Sequence, residues 1–388
     1  MTGAPLLDVD ALLRDRAVTT VVCCGSGGVG KTTTAAALAL RAAEFGRQVV
    51  VLTIDPARRL AQSMGLSELD NTPRPVVGVD TAAGGGLDAM MLDMKRTFDE
   101  IVLSHSTPEK AAAIMNNPFY VSLSSSFSGT QEYMAMEKLG QLKAERGHEL
   151  IVVDTPPTRS ALDFLDAPQR LTSFLDGRMI KVLLAPAKAG GKTYLKVVTA
   201  SLSVFTRVLT RIIGTQVLTD LSQFVAALET MFGGFRERAE ATYKLLAAPG
   251  TAFVVVAAPE PAALREAAFF IDRLSEESMP LAGLVLNRMH RTAAPQLTAE
   301  RALAAAETLK GKDPAGTTTA VAVLRLHADR VQLARREQRL RERFSRGHPA
   351  VPLVEVSALA GDVHDLDGLR TIGAELGGAQ DAAAPAAS

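Results

Sequence analysis

The stretch that most constrains this chain is residues 25–33, Gly25-Ser26-Gly27-Gly28-Val29-Gly30-Lys31-Thr32-Thr33. It follows an apolar, β-branched run at 18–24 and opens into an Ala/Leu-rich segment at 35–45 that reads as a helix. Strand, glycine loop and helix, with Gly-x-x-x-x-Gly-Lys-Thr at the junction, is the phosphate-binding loop pattern. Glycines let backbone N–H groups turn toward a polyphosphate with no Cβ in the way. The helix N-terminus adds unpaired donors and a partial positive charge. In this reading Gly27, Gly28, Val29, Gly30, Lys31, Thr32 and Thr33 cradle the phosphates, Lys31 reaches the β- and γ-phosphates, and Thr32 holds magnesium.

The same stretch also spells Gly25-x-Gly27-x-x-Gly30, the dinucleotide fingerprint, and Asp55 lies where a ribose-binding acid would. Lys31-Thr32 directly after the last glycine favours the triphosphate reading. A dinucleotide loop needs close helix–strand packing there, not a cation and a magnesium hydroxyl.

Composition removes several classes. Lys+Arg and Asp+Glu balance at 42 each, so no global charge argues for nucleic acid. The 5% aromatic content without Trp argues against base-stacking platforms. Residues 1–5 lead into no basic region followed by a long apolar run, so no signal peptide is expected. No uncharged apolar stretch approaches the roughly 18 residues of a spanning helix. The only cysteines, Cys23 and Cys24, are strand neighbours that point to opposite faces, and they read as small buried apolar groups. The six histidines show no ligand spacing. A cytoplasmic protein is expected, with or without peripheral contact with a membrane.

Along the chain, apolar runs at 19–24, 48–54, 87–92, 150–153, 251–258, 281–286 and 351–356 read as strands. Helical patterns fall at 6–16, 35–45, 261–277, 298–310, 319–346 and 366–376, and residues 70–86 read as loop. The alternation implies an α/β fold, a mainly parallel sheet with helices on both faces and ligands at the carboxyl ends of the strands. Two helical segments lie outside the alternation and are expected to form an inserted helical subdomain. The expected division is 1–94 core, 95–145 first insertion, 146–166 core with a second switch loop, 167–248 second insertion, 249–376 remaining core and 377–388 disordered tail. The methionines in and near the insertions (Met90, Met91, Met94, Met115, Met134, Met136, Met179 and Met231) suit either a core or a promiscuous apolar groove.

Phosphoryl transfer needs a metal, a phosphate cradle and a group that orients water. Asp154 ends a buried strand where a magnesium-associated acid sits, acting through a metal-bound water, or else it caps the next turn. Asp55 either positions and deprotonates water near a γ-phosphate or starts the Asp55-Pro56 turn. Asn287 carries an amide suited to an adenine edge, or is a buried structural residue. The Arg-rich helix around Arg335, Arg336, Arg339, Arg341 and Arg343 reads as a solvated face.

Taken together, these blocks resemble the arsenical-pump and guided-entry (tail-anchored protein targeting) ATPases, P-loop NTPases of the deviant Walker A class. The matching residues are 25–33, Asp55-Pro56-Ala57 as first switch, Asp154-Thr155-Pro156-Pro157-Thr158 with Phe164-Leu165 as second switch, and Asn287. The resemblance covers nearly all of residues 17–376. It implies ATP and Mg as cofactors and a dimer closing around two nucleotides. It also implies Asp55 as the water-activating acid, Asn287 on adenine, and a helical subdomain moving with nucleotide state in anion transport or membrane-protein targeting. A nucleotide-gated chaperone with negligible hydrolysis and a positioning ATPase are the alternatives. Three departures stand out. The family's signature lysine, which reaches across the dimer to the partner's phosphates, is Ser26 here. Arg58-Arg59 replaces the usual His-Asn of targeting members. The zinc and arsenite cysteines of the two branches are missing. The expected partner is therefore a homologous subunit that carries the lysine, or a second copy, with a hydrophobic client or membrane partner and no nucleic acid. Hydrolysis by the chain in isolation is expected to be weak.

Overall fold

The computed structural model describes residues 5–55, 59–118, 120–121, 130–156, 237–238, 240–310 and 318–378. Contacts divide the chain into two compact units. One comprises Met1–Met91, Gly147–Ala161 and Leu246–Ser388, the other Leu92–Arg146 and Leu162–Leu245.

Among the described residues the strands are β1 (Thr20–Cys24), β2 (Gln48–Thr53), β3 (Arg74–Pro75), β4 (Gly86–Met91), β5 (Leu150–Asp154), β6 (Thr251–Ala257), β7 (Leu281–Met289) and β8 (Leu353–Ser357). The helices include α1 (Val9–Arg14), α2 (Lys31–Glu44), α3 (Arg59–Ser63), α4 (Met94–His105), α5 (Pro108–Met115), α6 (Thr130–Glu145), α7 (Pro261–Glu276), α8 (Ala299–Lys310), α9 (Thr318–Gly347) and α10 (Leu366–Leu376).

The first unit is an α/β domain on one eight-stranded sheet, in the order β3-β4-β2-β5-β1-β6-β7-β8. Every neighbouring pair is parallel except β3 with β4. β1, β5 and β6 are buried at every position, as strands covered on both faces must be. On one face Val21, Cys23, Val49, Val51, Val152, Val254 and Val285 join a core with the Ala-rich flank of α2 and with Leu369, Ile372 and Leu376 of α10. The alternate residues Val22, Val50, Leu52, Val153, Val255 and Leu286 are equally buried. α7, begun by Pro261 in its first turn, packs along β6 and β7. Burial pushes the Cys24 thiol up to about 12 and raises Cys23 as well, so both are inert core thiols.

Parallel register sets the ends of the strands level. Asp154 pairs with Cys23 on one side and with Thr53 on the other. The carboxyl ends of β1, β2 and β5 therefore meet at one place, beside the glycine loop.

In the second unit, Asp93 caps α4 by accepting from Arg96 N, and Thr107 caps α5 ahead of Pro108. Phe98, Ile101, Val102, Met134, Met136, Leu139 and Leu142 are buried. Phe98 and Tyr120 meet edge to face at 5.5 Å, and the Tyr120 hydroxyl donates to Asp99 at 2.6 Å. Met134 and Met136 are thus core residues, as is Met90 in β4.

Two sequence readings need correction. The stretch 70–86 is not all loop, since Arg74–Pro75 forms a short antiparallel edge strand on β4. Two residues, one of them proline, are too few to show a period. The strand at 281–286 does not end at Asn287. It continues to Met289 through a register shift, because Arg288 takes a left-handed φ of 63° that lets pairing resume one step on. The first-switch residues Pro56, Ala57 and Arg58 lie outside the described residues. So do Pro157, Thr158, Phe164, Leu165, Met179, Met231, most of the second insertion and the tail from 379.

The amino ends of the strands are tied by a residue the sequence did not single out. Arg47 is 1% exposed. Its guanidinium donates to the carbonyls of Leu13 (2.9 Å), Asp15 (3.2 Å), Val18 (2.6 Å) and Glu149 (3.1 Å), the approaches to β1 and β5. Arg47→Met keeps the stem and strands these carbonyls. It is expected to lower stability by about 3 kcal/mol, read as a lower urea midpoint with an unchanged denaturant slope.

Candidate functional site

The site begins with two glycines that nothing else could replace. Gly25 leaves β1 at φ 147°, and a Cβ there would lie 2.1 Å from the Val256 carbonyl oxygen. Gly30 sits at φ 96°, and its Cβ would lie 2.2 Å from Asn287 Nδ2. The loop thus meets β6 at Gly25 and the end of β7 at Gly30 with no room for a side chain at either position. Gly27 and Gly28 are exposed at its tip, and the Val29 side chain is buried.

α2 starts at Lys31, with Gly30 as an N-cap that offers no side-chain hydrogen bond and no acid in the first turn. Fourteen residues of helix therefore end on uncapped N–H groups that face a cleft. That is an anion-binding arrangement. Lys31 is 5% exposed, and its Nζ donates to the Ser26 carbonyl at 2.9 Å, closing the loop on itself. Burial lowers its pKa, while the charges of Asp154 and Asp55 oppose that shift.

Opposite the loop, Asp154 is fully buried. Its Oδ2 accepts from Thr32 Oγ1 at 2.7 Å and from Thr53 Oγ1 at 2.9 Å. Its Oδ1 is buried with no hydrogen-bond partner among the described residues. Desolvation raises the Asp154 pKa to about 6, against the pull of the two hydroxyls and Lys31, with Asp55 adding to the rise. A buried carboxylate oxygen without a partner beside a threonine hydroxyl is a hard-oxygen donor set of the kind magnesium takes. The oxygen chemistry of Thr32 and Asp154 fits such an ion.

Thr53 was missed by the sequence reading. Its hydroxyl donates to Asp154 and accepts from the Asp55 backbone N–H at 3.2 Å, so it joins the two candidate acids. The available signal was a hydroxyl residue at the end of an otherwise apolar run, two places before Asp55.

An open cleft of about 710 Å³ gathers the loop residues Gly28, Gly30, Lys31, Thr32 and Thr33 with Asp55, Arg59 and Arg288, and with residues 362–364 beyond β8. Asp55 therefore faces the same space as the loop, whereas Asp154 lies beneath it. Asn287 does not line the cleft. Its Nδ2 donates to the Val29 carbonyl at 2.8 Å, and its Oδ1 accepts from Arg288 N at 3.0 Å. In this structure it braces the loop.

Residues 18–303 match the family model described as Anion-transporting ATPase. An ATPase GET3 of Malassezia globosa is 29% identical over 164 residues, 42% of this chain and 46% of that protein. A Halobacterium salinarum protein named as an arsenical pump-driving ATPase is 32% identical over 180 residues, 43% of this chain and 26% of its own length. Protein Rv2184c of Mycobacterium tuberculosis is 32% identical over 163 residues, 37% of this chain and 36% of that protein. The chain spans less than half the length of each of these relatives.

The raised Asp154 pKa gives a pH prediction for the protein free of metal and nucleotide. Below the ordinary value of 3.8 the carboxyl is protonated in both the folded and unfolded chain and costs nothing. Between 3.8 and about 6 the unfolded chain has released the proton and the folded chain retains it, so stability falls as pH rises through that window. Above it the penalty is constant. Asp154→Asn is expected to be more stable than the parent at pH 7.5, on the order of 2–3 kcal/mol, with the gain shrinking toward pH 4. Urea titrations at three pH values read this directly.

Proposed function

From a chain that belongs to the anion-transporting ATPase family, we propose a magnesium-dependent ATPase subunit whose site is the loop at 25–33 with Asp154 and Asp55. The observation that carries this reading is the buried, half-satisfied Asp154 carboxylate hydrogen-bonded to Thr32 at the foot of an uncapped helix. Lys31 and the N–H groups at the start of α2 would hold the β- and γ-phosphates. Thr32 and Asp154 would hold magnesium, Asp154 through water. The metal, when bound, supplies neutralising charge for the phosphates. Asp55, in the cleft and tied through Thr53 to Asp154, would orient the attacking water and take its proton on the carboxylate. Asn287 would add an adenine contact from behind the loop.

The subunit would work in a dimer, coupling nucleotide state to movement of the helical unit, in anion transport or in membrane-protein targeting. Ser26 supports a mixed dimer. The position at which the resembling family carries a lysine toward the partner's phosphates holds a hydroxyl here, so one of the two sites would lack a cation that acts in trans.

Four outcomes test this. Lys31→Ala is expected to abolish ATP binding in equilibrium titration while leaving the thermal midpoint of the nucleotide-free protein near the parent's, and magnesium chelation is expected to stop hydrolysis. The chain purified alone is expected to turn over slowly, and Ser26→Lys to raise the rate. Brisk hydrolysis by a homodimer, indifferent to Ser26→Lys, would sink the mixed-dimer reading.

A further inference from the structure

The cleft holds a cation that this reading has not used. Arg288 lines it together with Lys31, and Arg288 is exposed. No hydrogen bond or ion pair of its guanidinium occurs among the described residues. By contrast Arg41 is paired with Asp10 and Arg370 with Glu44.

The backbone shows that Arg288 is aimed. A left-handed φ of 63° on a non-glycine residue is uncommon, and such conformations cluster at functional sites. The β7–β8 register breaks between Leu286 and Met289, so the strand bulges at this residue. Bulges of this kind redirect a side chain. Both flanks of the bulge are pinned by side chains. On one side Asn287 holds the Val29 carbonyl and the Arg288 N–H. On the other, the buried carboxylate of Glu337 in α9 takes the His290 backbone N–H at 2.8 Å and meets His290 Nδ1 at 2.7 Å. A buried carboxylate and a buried amide thus fix a residue of left-handed φ whose guanidinium lines the cleft and has no polar partner among the described residues.

The geometry points to Arg288 as a nucleotide-gripping residue, an arginine that pairs with the phosphate chain of a bound nucleoside polyphosphate from within the same subunit. This rests on the nucleotide-site reading above. It supplies in cis a cation beside Lys31 and Arg59, to a loop whose second residue is Ser26. An arginine suits the task because its planar donors match phosphate oxygens in pairs.

The test is binding, read apart from turnover, with Arg288→Gln, Arg288→Lys and Lys31→Ala. Calorimetric titration of the full chain with ATP and ADP is expected to show about tenfold or greater weakening in Arg288→Gln. Arg288→Lys is expected to recover most of the loss. Adenosine affinity, read by ligand-observed NMR at millimolar concentration, is expected to be the same in the parent and in Arg288→Gln. The thermal midpoint without nucleotide is expected to be unchanged, since the side chain has no partner to lose. Parental ATP affinity in Arg288→Gln overturns the proposal. Equal loss of ATP and adenosine overturns it too, because that is the mark of base stacking or a damaged pocket. Parental ATP binding in Lys31→Ala would instead overturn the nucleotide site itself.

Discussion

The arrangement depends on a carboxylate that the fold leaves half-satisfied. Asp154 ends a strand with no solvent-facing position, so its charge comes at the cost of desolvation. Two hydroxyls share one of its oxygens and leave the other without a partner among the described residues. Those hydroxyls come from the first turn of α2 and the last residue of β2. The carboxylate therefore holds α2 and the end of β2 in one place, and parallel register is what brings them there. A fully satisfied Asp154 would be a better structural residue and a poorer cation holder. Its remaining need is for positive charge, and Lys31 meets it only at a distance, as a Coulombic neighbour whose Nζ is bonded to Ser26.

The loop is correspondingly strained for charge. Lys31 is desolvated and satisfied by a single carbonyl of its own loop. A polyphosphate would offer that ammonium stronger acceptors than the Ser26 carbonyl, and the same anion would meet the free N–H groups of α2. Both groups that are poorly served in this structure, the ammonium and the carboxylate, would be served by the two halves of one ligand, phosphate and its metal. That complementarity gives the functional reading more weight than the glycine pattern does by itself.

The sheet was legible because its strands are buried on both faces. Runs such as 48–54 and 251–258 are apolar without alternation, and little else produces that pattern at such lengths. The glycine loop, Asp55 and Asp154 were legible because they are polar residues that end such runs. What escaped has a common cause. Arg47, Thr53 and Arg288 draw their meaning from partners tens to hundreds of residues away, or from a backbone angle. Arg47 lies in a short turn between α2 and β2 and looks like a surface residue until the approaches to β1 and β5 converge on it. Arg288 looks like a polar residue just past a strand, whereas the strand continues beyond it. One residue's φ cannot be read from composition.

Asn287 braces the loop and still keeps hydrogen-bonding capacity for a ligand. A side-chain amide has two donors and an acceptor with two lone pairs. Here one donor goes to the Val29 carbonyl and one lone pair to the Arg288 N–H. One donor and one lone pair remain uncommitted, which is the complement of an adenine edge presenting an amino group beside a ring nitrogen. The two readings of Asn287 are therefore not rivals for the same hydrogen bonds. The brace on Val29 fixes the amide plane, and Gly30 leaves the space in which that plane lies. A base contact made from this position would be tied through Val29 to the loop that holds the phosphates, so both ends of a nucleotide would bear on one short segment of chain.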